Sequence, residues 1–327
     1  MDRVRWGIIG CGNVTELKSG PAFNKVNNSE LVAVMRRNSA KAEDYALRHG
    51  VPKWYDDAQK LIDDPEVNAI YIATPPQSHE DYTIRSLKAG KAVYVEKPMS
   101  TNGDSAERML QASTETGMKL CIAHYRREQP RFKKLKALLD ANEIGKVRLV
   151  NLQLFQPVQS ALIVKTDEYW RVDPAVSGGG LFHDLSPHQL DLMQYFFGPA
   201  EKVSGFSLNQ GGVYPADDLT VGSIIFKSGV VFNGNWCFTA AKGGEKDLVE
   251  IVGSEGKISF TTFTTHHITL SKNNKEEVLA FDELEHVQQP MIDAVVKYFL
   301  NEGPNPSTAE SAVDTMRIID AFAQKMS

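Results

Sequence analysis

Short apolar runs alternate with amphipathic stretches from residue 1 to about residue 123. The runs are Val4–Ile9, Leu31–Met35, Ala69–Ala73, Ala92–Val95 and Lys119–Ala123. Between them, segments such as 40–49, 79–89 and 103–117 have the length and apolar spacing of helices. Strands alternating with helices predict a parallel sheet covered on both faces, a doubly wound α/β arrangement. After a helix at about 130–141 the pattern changes. Val147–Phe155, Lys202–Leu208, Thr220–Phe226, Val230–Phe238, Leu248–Val252, Lys257–Phe260 and His267–Leu270 read as strands, many of them rich in β-branched and aromatic residues. Turn signals such as Lys227-Ser228-Gly229 and Gly253-Ser254-Glu255-Gly256 separate them, which predicts a large, mainly antiparallel open sheet. Helices at about 286–301 and 308–325 close the chain. The expected division is 1–123 for the α/β domain and 124–327 for an α+β domain.

A chain of 327 residues is long enough for two domains of ordinary size. Its 36 basic and 41 acidic residues leave a net charge of −5, so nothing in the bulk charge draws it to nucleic acid or to an anionic membrane. No apolar run approaches the roughly 18 residues needed to cross a bilayer. The start of the chain lacks the long apolar core and small-residue cleavage site of a secretory signal. Three widely spaced cysteines, Cys11, Cys121 and Cys237, suggest neither a disulfide framework nor a zinc cluster, and a cytoplasmic protein without a metal is expected.

Chemistry enters first at Gly10-Cys11-Gly12-Asn13-Val14-Thr15, directly after the first strand. Two of the three glycines of the dinucleotide fingerprint are present. The first permits the turn and the second lets the backbone approach a pyrophosphate. Thr15 stands where the third glycine is usual. The second run then ends Met35-Arg36-Arg37-Asn38-Ser39, with no acidic residue to bind the ribose 2′-hydroxyl of NAD. Two arginines and a serine suit a 2′-phosphate, because guanidinium forks bind phosphate oxygens in pairs. NADP(H) is therefore the expected cofactor, with NAD(H) a possibility. The plain alternative is a solvated basic loop.

Two further segments lie where parallel strands end, Thr74-Pro75-Pro76-Gln77-Ser78-His79 and Glu96-Lys97-Pro98. Ligands of open α/β sheets bind at such carboxyl ends. A third segment runs Gly178-Gly179-Gly180-Leu181-Phe182-His183-Asp184 to His188 and Asp191. At i, i+4, i+7 spacing, Asp184, His188 and Asp191 share one stripe of a helix. Asp184 has the alternative of being a helix N-cap, and His188 that of a packed core histidine.

Taken together, these motifs resemble the Gfo/Idh/MocA oxidoreductases, the group of glucose–fructose oxidoreductase and inositol dehydrogenase. The resemblance also takes in His124-Tyr125-Arg126-Arg127 and Tyr169-Trp170-Arg171, and it covers nearly the whole chain. It implies a Rossmann domain followed by a substrate-binding and oligomerisation domain. It implies hydride transfer between a nicotinamide and a secondary alcohol or ketone of a sugar, polyol or sugar derivative. Lys97 matches the catalytic lysine, His188 the general acid/base, and Asp184 a carboxylate that contacts substrate or orients the histidine. Glu96 resembles a cofactor ribose contact. Arg126, Trp170 and Arg171 match positions lining the nicotinamide end. Cofactor contacts are expected from Gly10, Cys11, Gly12, Asn13, Val14, Arg36, Arg37, Ser39, Thr74, Pro75, His79, Glu96 and Lys97. Substrate contacts are expected from Tyr125, Tyr169, Asp184 and His188, and His79 and His183 are further polar candidates for binding hydroxyls. Relatives of this kind commonly form homo-dimers or homo-tetramers through the second sheet. Two other activities remain open on this fold, an NAD-dependent glycosidase and a non-enzymatic dinucleotide-sensing regulator.

Overall fold

The structure, a computed structural model, describes residues 1–160, 162 and 170–324. Among these residues the chain forms two compact units. One comprises Met1–Gln129 with Leu284–Val313, the other Pro130–Glu283 with Asp314 onward.

The first unit is built on six strands: β1 Val4–Ile9, β2 Ser29–Met35, β3 Lys53–Tyr55, β4 Ala69–Ile72, β5 Ala92–Val95 and β6 Leu120–Ile122. They lie in the order β3-β2-β1-β4-β5-β6, and every pairing is parallel. Strands β4 and β5 are buried at every position. A central parallel strand has helices on both faces, so both sets of side chains leave water and the sequence reads as an unbroken apolar run. Strand β3 had no such run. It is a three-residue edge strand, and its central residue, Trp54, is exposed. The intervening helices stop and start where the sequence directs. Asn38 caps the helix Ser39–His49 by accepting from the Lys41 N–H, and Gly50 closes it in the left-handed conformation.

The division of the chain differs from the expected boundary at residues 123 and 124. The amphipathic helix Gln289–Phe299 belongs to the first unit. Met291, Ile292, Val295, Val296 and Phe299 enter one apolar cluster with Trp6, Phe23, Tyr71 and Tyr94. The Phe299 ring lies 5.5 Å from that of Trp6. An apolar stripe identifies a helix that must be buried, but it does not say against which sheet.

The second unit holds β7 Val147–Phe155, β8 Ala200–Leu208, β9 Leu219–Phe226, β10 Val231–Cys237, β11 Lys246–Gly253, β12 Gly256–Phe260, β13 His267–Lys272 and β14 Lys275–Ala280. Their order is β14-β13-β12-β11-β7-β10-β9-β8. The β7–β10 pairing is parallel and the others are antiparallel. Burial alternates along these strands. Val150, Leu152, Leu154, Phe232, Trp236, Val249 and Ile251 are fully buried on one face. Their neighbours on the other face, including Leu149, Asn151, Asn233 and Val252, are partly exposed. Rings from three helices cover the buried face. Phe182 approaches Trp236 at 5.0 Å, Phe132 approaches Phe260 at 5.9 Å, and Phe322 approaches Trp236 at 6.0 Å. Strand β14, absent from the sequence reading, is an exposed edge strand carrying Lys275, Glu276 and Glu277. Charges of this kind keep an open edge from pairing with another chain, and they also erase the apolar signal.

Candidate functional site

In the first unit the expected cofactor residues gather at the carboxyl ends of β1, β2, β4 and β5. Gly10 turns the chain out of β1 with φ +95°, in the region glycine favours. A Cβ there would meet the Thr74 backbone nitrogen at 2.9 Å, so the glycine lets the loops after β1 and β4 touch. The Gly10 and Cys11 N–H groups both donate to the Met35 carbonyl. A side chain added at Gly12 would meet almost nothing, which leaves room over this turn for a ligand. The helix that follows is short, Asn13–Leu17. Cys11 is buried, and burial pushes its thiol up to about 11.

Thr15 is fully buried and its hydroxyl donates to the Gly12 carbonyl. The close approach usually served by a third glycine falls instead to Gly20. A Cβ at Gly20 would lie 2.2 Å from the Thr15 carbonyl oxygen and 2.3 Å from the Tyr45 hydroxyl. That hydroxyl donates to the Thr15 carbonyl. Sequence reasoning missed Gly20 because it lies outside the fingerprint spacing.

Arg36 directs its guanidinium back toward the loop and donates to the Cys11 carbonyl at 3.4 Å. Arg37 and Ser39 are exposed beside it. No carboxylate follows Met35 before the helix begins.

His79 is 1 % exposed. Its Nε2 lies 2.7 Å from the Thr74 carbonyl and its Nδ1 3.0 Å from the Pro98 carbonyl. Burial lowers its pKa. The neutral ring is buried between the loops after β4 and β5 and donates to one of these two carbonyls, according to its tautomer. Thr74 itself accepts from the Ser78 hydroxyl, and Thr74 and Pro75 are partly exposed at the same rim.

Glu96 is also interior. Its Oε1 accepts from the Tyr71 hydroxyl and from the Gln288 amide, each at 2.6 Å, and its Oε2 accepts from the Lys97 N–H at 3.1 Å. Lys97 is the one residue between Ala92 and Ser100 that is partly exposed rather than buried. Tyr125, expected at the substrate, is 6 % exposed and belongs to the apolar cluster of this unit. Arg126 is also buried, with its guanidinium 5.6 Å from the centre of the Tyr125 ring.

In the second unit the glycine run leads into the helix Leu181–Phe197, with Gly180 preceding its first turn. Asp184 is therefore inside the helix and is not its cap. Its N–H already donates to the Gly180 carbonyl. Its carboxylate accepts from the Arg171 Nε at 3.0 Å, and Arg171 in turn stacks on the Trp170 ring at 4.4 Å. Tyr169 lies outside the described residues. His188 and Asp191 are 5 % and 1 % exposed on the same helix. His183 is buried as well, and burial holds its imidazole down at about 4, so it is a neutral packing residue.

Phe263 packs against His188 with ring centroids 5.8 Å apart, and sequence reasoning passed over it. The loop that carries it is held from both sides. The Asp247 carboxylate accepts from the N–H groups of Thr262, Phe263 and Thr264, while Arg131 donates to the carbonyls of Thr261, Thr262 and Thr265. Its only sequence signal was an aromatic residue among threonines between two strands. Among the described residues, no group of three or more His, Cys, Asp or Glu side chains is placed to hold a metal, and no helix is long and apolar enough to cross a membrane.

Residues 4–124 match the oxidoreductase family with an NAD-binding Rossmann fold, and residues 132–259 match the C-terminal domain of the same Gfo/Idh/MocA family. The chain belongs to the Gfo/Idh/MocA oxidoreductases. It is thus an enzyme of the NAD(P)-dependent dehydrogenase and reductase class. It is 48 % identical to Oxidoreductase P35 of Formosa agariphila, over 98 % of each chain. It is 28 % identical to a scyllo-inositol 2-dehydrogenase (NAD(+)) of Bacillus subtilis, over 82 % of this chain and 77 % of that one. Its fold matches a 3-ketoreductase of Actinomadura kijaniata, solved with NADP and TDP-benzene, at a TM-score of 0.85 and 21 % identity over 99 % of both chains.

Proposed function

We propose that this oxidoreductase transfers hydride between the nicotinamide of NADP(H) and a secondary alcohol or ketone of a sugar, polyol or sugar derivative. Lys97 and His188 form its acid/base pair. The observation that carries the reading is Lys97. It is the partly exposed residue of an otherwise buried stretch, with its N–H donated to the Glu96 carboxylate and the following Pro98 carbonyl packed against the buried His79 ring. The fold spends buried polar groups on fixing this turn, which is the support a reacting side chain needs.

The cofactor supplies the hydride chemistry, and the protein supplies orientation and proton management. The residues present fit such a group. Gly10 and Gly12 leave the loop open to a pyrophosphate. Arg36, Arg37 and Ser39 offer donors to a 2′-phosphate at the end of β2. When an alcohol is oxidised, its carbon gives up a hydride and its hydroxyl gives up a proton, and negative charge develops on the oxygen as that proton goes. The Lys97 ammonium stabilises that charge and His188 takes the proton. In reduction His188 returns a proton to the carbonyl oxygen. Asp184, through its pair with Arg171, fixes the start of the histidine's helix. A polyol substrate agrees with the name of the Bacillus subtilis relative. The partly exposed face of the eight-stranded sheet is the surface through which a homo-oligomer would form, and a cytoplasmic location accords with the three widely spaced cysteines.

The cofactor assignment is tested with Arg36→Asp. Losing a charge-assisted contact and adding repulsion should lower the NADPH-over-NADH ratio of kcat/KM by roughly 10–100-fold. Equal kcat/KM for the two cofactors in the unaltered protein contradicts the assignment.

A further inference from the structure

Gln288 precedes the helix Gln289–Phe299, in the segment that returns to the first unit, and lies beyond the stretches matched to the family. Short polar side chains at this position often turn onto the first N–H groups of the helix. Gln288 makes no such bond. It is 1 % exposed, and its amide points into the core. The Nε2 donates to the Glu96 Oε1 at 2.6 Å, and the Oε1 accepts from the Tyr94 hydroxyl at 3.1 Å. Its backbone N–H donates to the Lys18 carbonyl, just past the helix that follows the glycine loop.

We infer that Gln288 is a positioning residue for Lys97, acting through the Glu96 carboxylate. The inference rests on the role given to Lys97 above. A buried carboxylate stays in place only while its oxygens are supplied with donors. Glu96 Oε1 has two, from Tyr71 and Gln288, and these orient the group so that Oε2 receives the Lys97 N–H. Burial raises Tyr71 and Tyr94 well above the usual tyrosine range, so both remain protonated donors. The chain of bonds from Tyr94 through Gln288 and Glu96 ends on the Lys97 backbone. Docking of a helix from the far end of the sequence thereby completes the turn that aims the lysine.

The test uses the full chain with Gln288→Leu, which keeps the volume and removes the amide, and Gln288→Asn, which withdraws the amide by one methylene. The first readout is amide hydrogen exchange at Lys97. It should accelerate about tenfold or more in both variants, while the helix Gly103–Thr116 keeps its protection. The second is turnover of myo-inositol and scyllo-inositol with NADP+ and NAD+. Gln288→Leu should lower kcat about tenfold in the unaltered background and add less than about twofold once Lys97→Ala is present, because both changes disable one unit. Exchange at Lys97 that stays within about twofold of the unaltered protein overturns the inference, and so does an equal fractional loss in both backgrounds. Near-normal turnover in Lys97→Ala, with exchange still responding to Gln288, removes the role of Lys97 and leaves the main-chain coupling standing.

Discussion

The two sheets bury their strands in different ways. In β4 and β5 every residue is inside. In β10 and β11 buried and partly exposed residues take turns. A parallel strand with helices on both faces holds polar atoms only where they are paired inside, as the Tyr71 and Tyr94 hydroxyls are in β4 and β5, and a charged residue comes where the strand ends, as Glu96 does directly after β5. The open sheet can carry Asn151, Asn233 and Glu250 along one face at little cost. A charged residue is therefore far more informative at the end of a parallel strand than in the middle of the open sheet.

The contrast sets an order of sensitivity. Ile70 in β4 and Ile251 in β11 are both fully buried, and replacing either by alanine should cost about 2–5 kcal/mol in chemical denaturation. A smaller, pH-dependent effect is expected at His183. Its folded-state pKa is held at about 4, below the ordinary 6.5. The unfolded chain then binds a proton that the folded chain refuses. Stability is full above about pH 6.5 and falls as the pH drops toward 4, by up to about 3 kcal/mol. Denaturation curves across that range should lose this one-proton slope in His183→Gln. An unchanged slope would mean that another group carries the linkage. The smallest effect belongs to Val252, on the open face beside Ile251. Val252→Ala should shift stability by no more than about 0.5–1 kcal/mol if water covers that face. A loss as large as at Ile251 would show that a second copy covers it in solution.

Much of this architecture was legible because it follows apolar periodicity. The runs Val4–Ile9 and Ala92–Val95 were read with their observed limits, and so was Val147–Phe155. Strands β3 and β14 were not legible, because edge strands need little apolar content and one of them carries charges to protect its edge. The helix Gln289–Phe299 was visible as a helix, but its partner was not, since contact between residues almost 200 positions apart leaves no local signal. The site divides in the same way. The glycine turn could be read from spacing, and the segment around Lys97 from its place at the end of an apolar run together with the family resemblance. The interior duties of His79, Glu96 and Tyr125 could not, because burial depends on what the rest of the chain brings to the position. Gly20 and Phe263 depend on close approaches that only the folded chain reveals.

The assignment of the acid/base pair is tested most directly by single-turnover oxidation of a polyol panel by the unaltered protein, Lys97→Ala and His188→Ala, with binding of the reduced cofactor measured alongside. Each substitution should slow hydride transfer by about 10²–10⁴-fold while the cofactor still binds. Near-normal turnover in both variants would contradict the account.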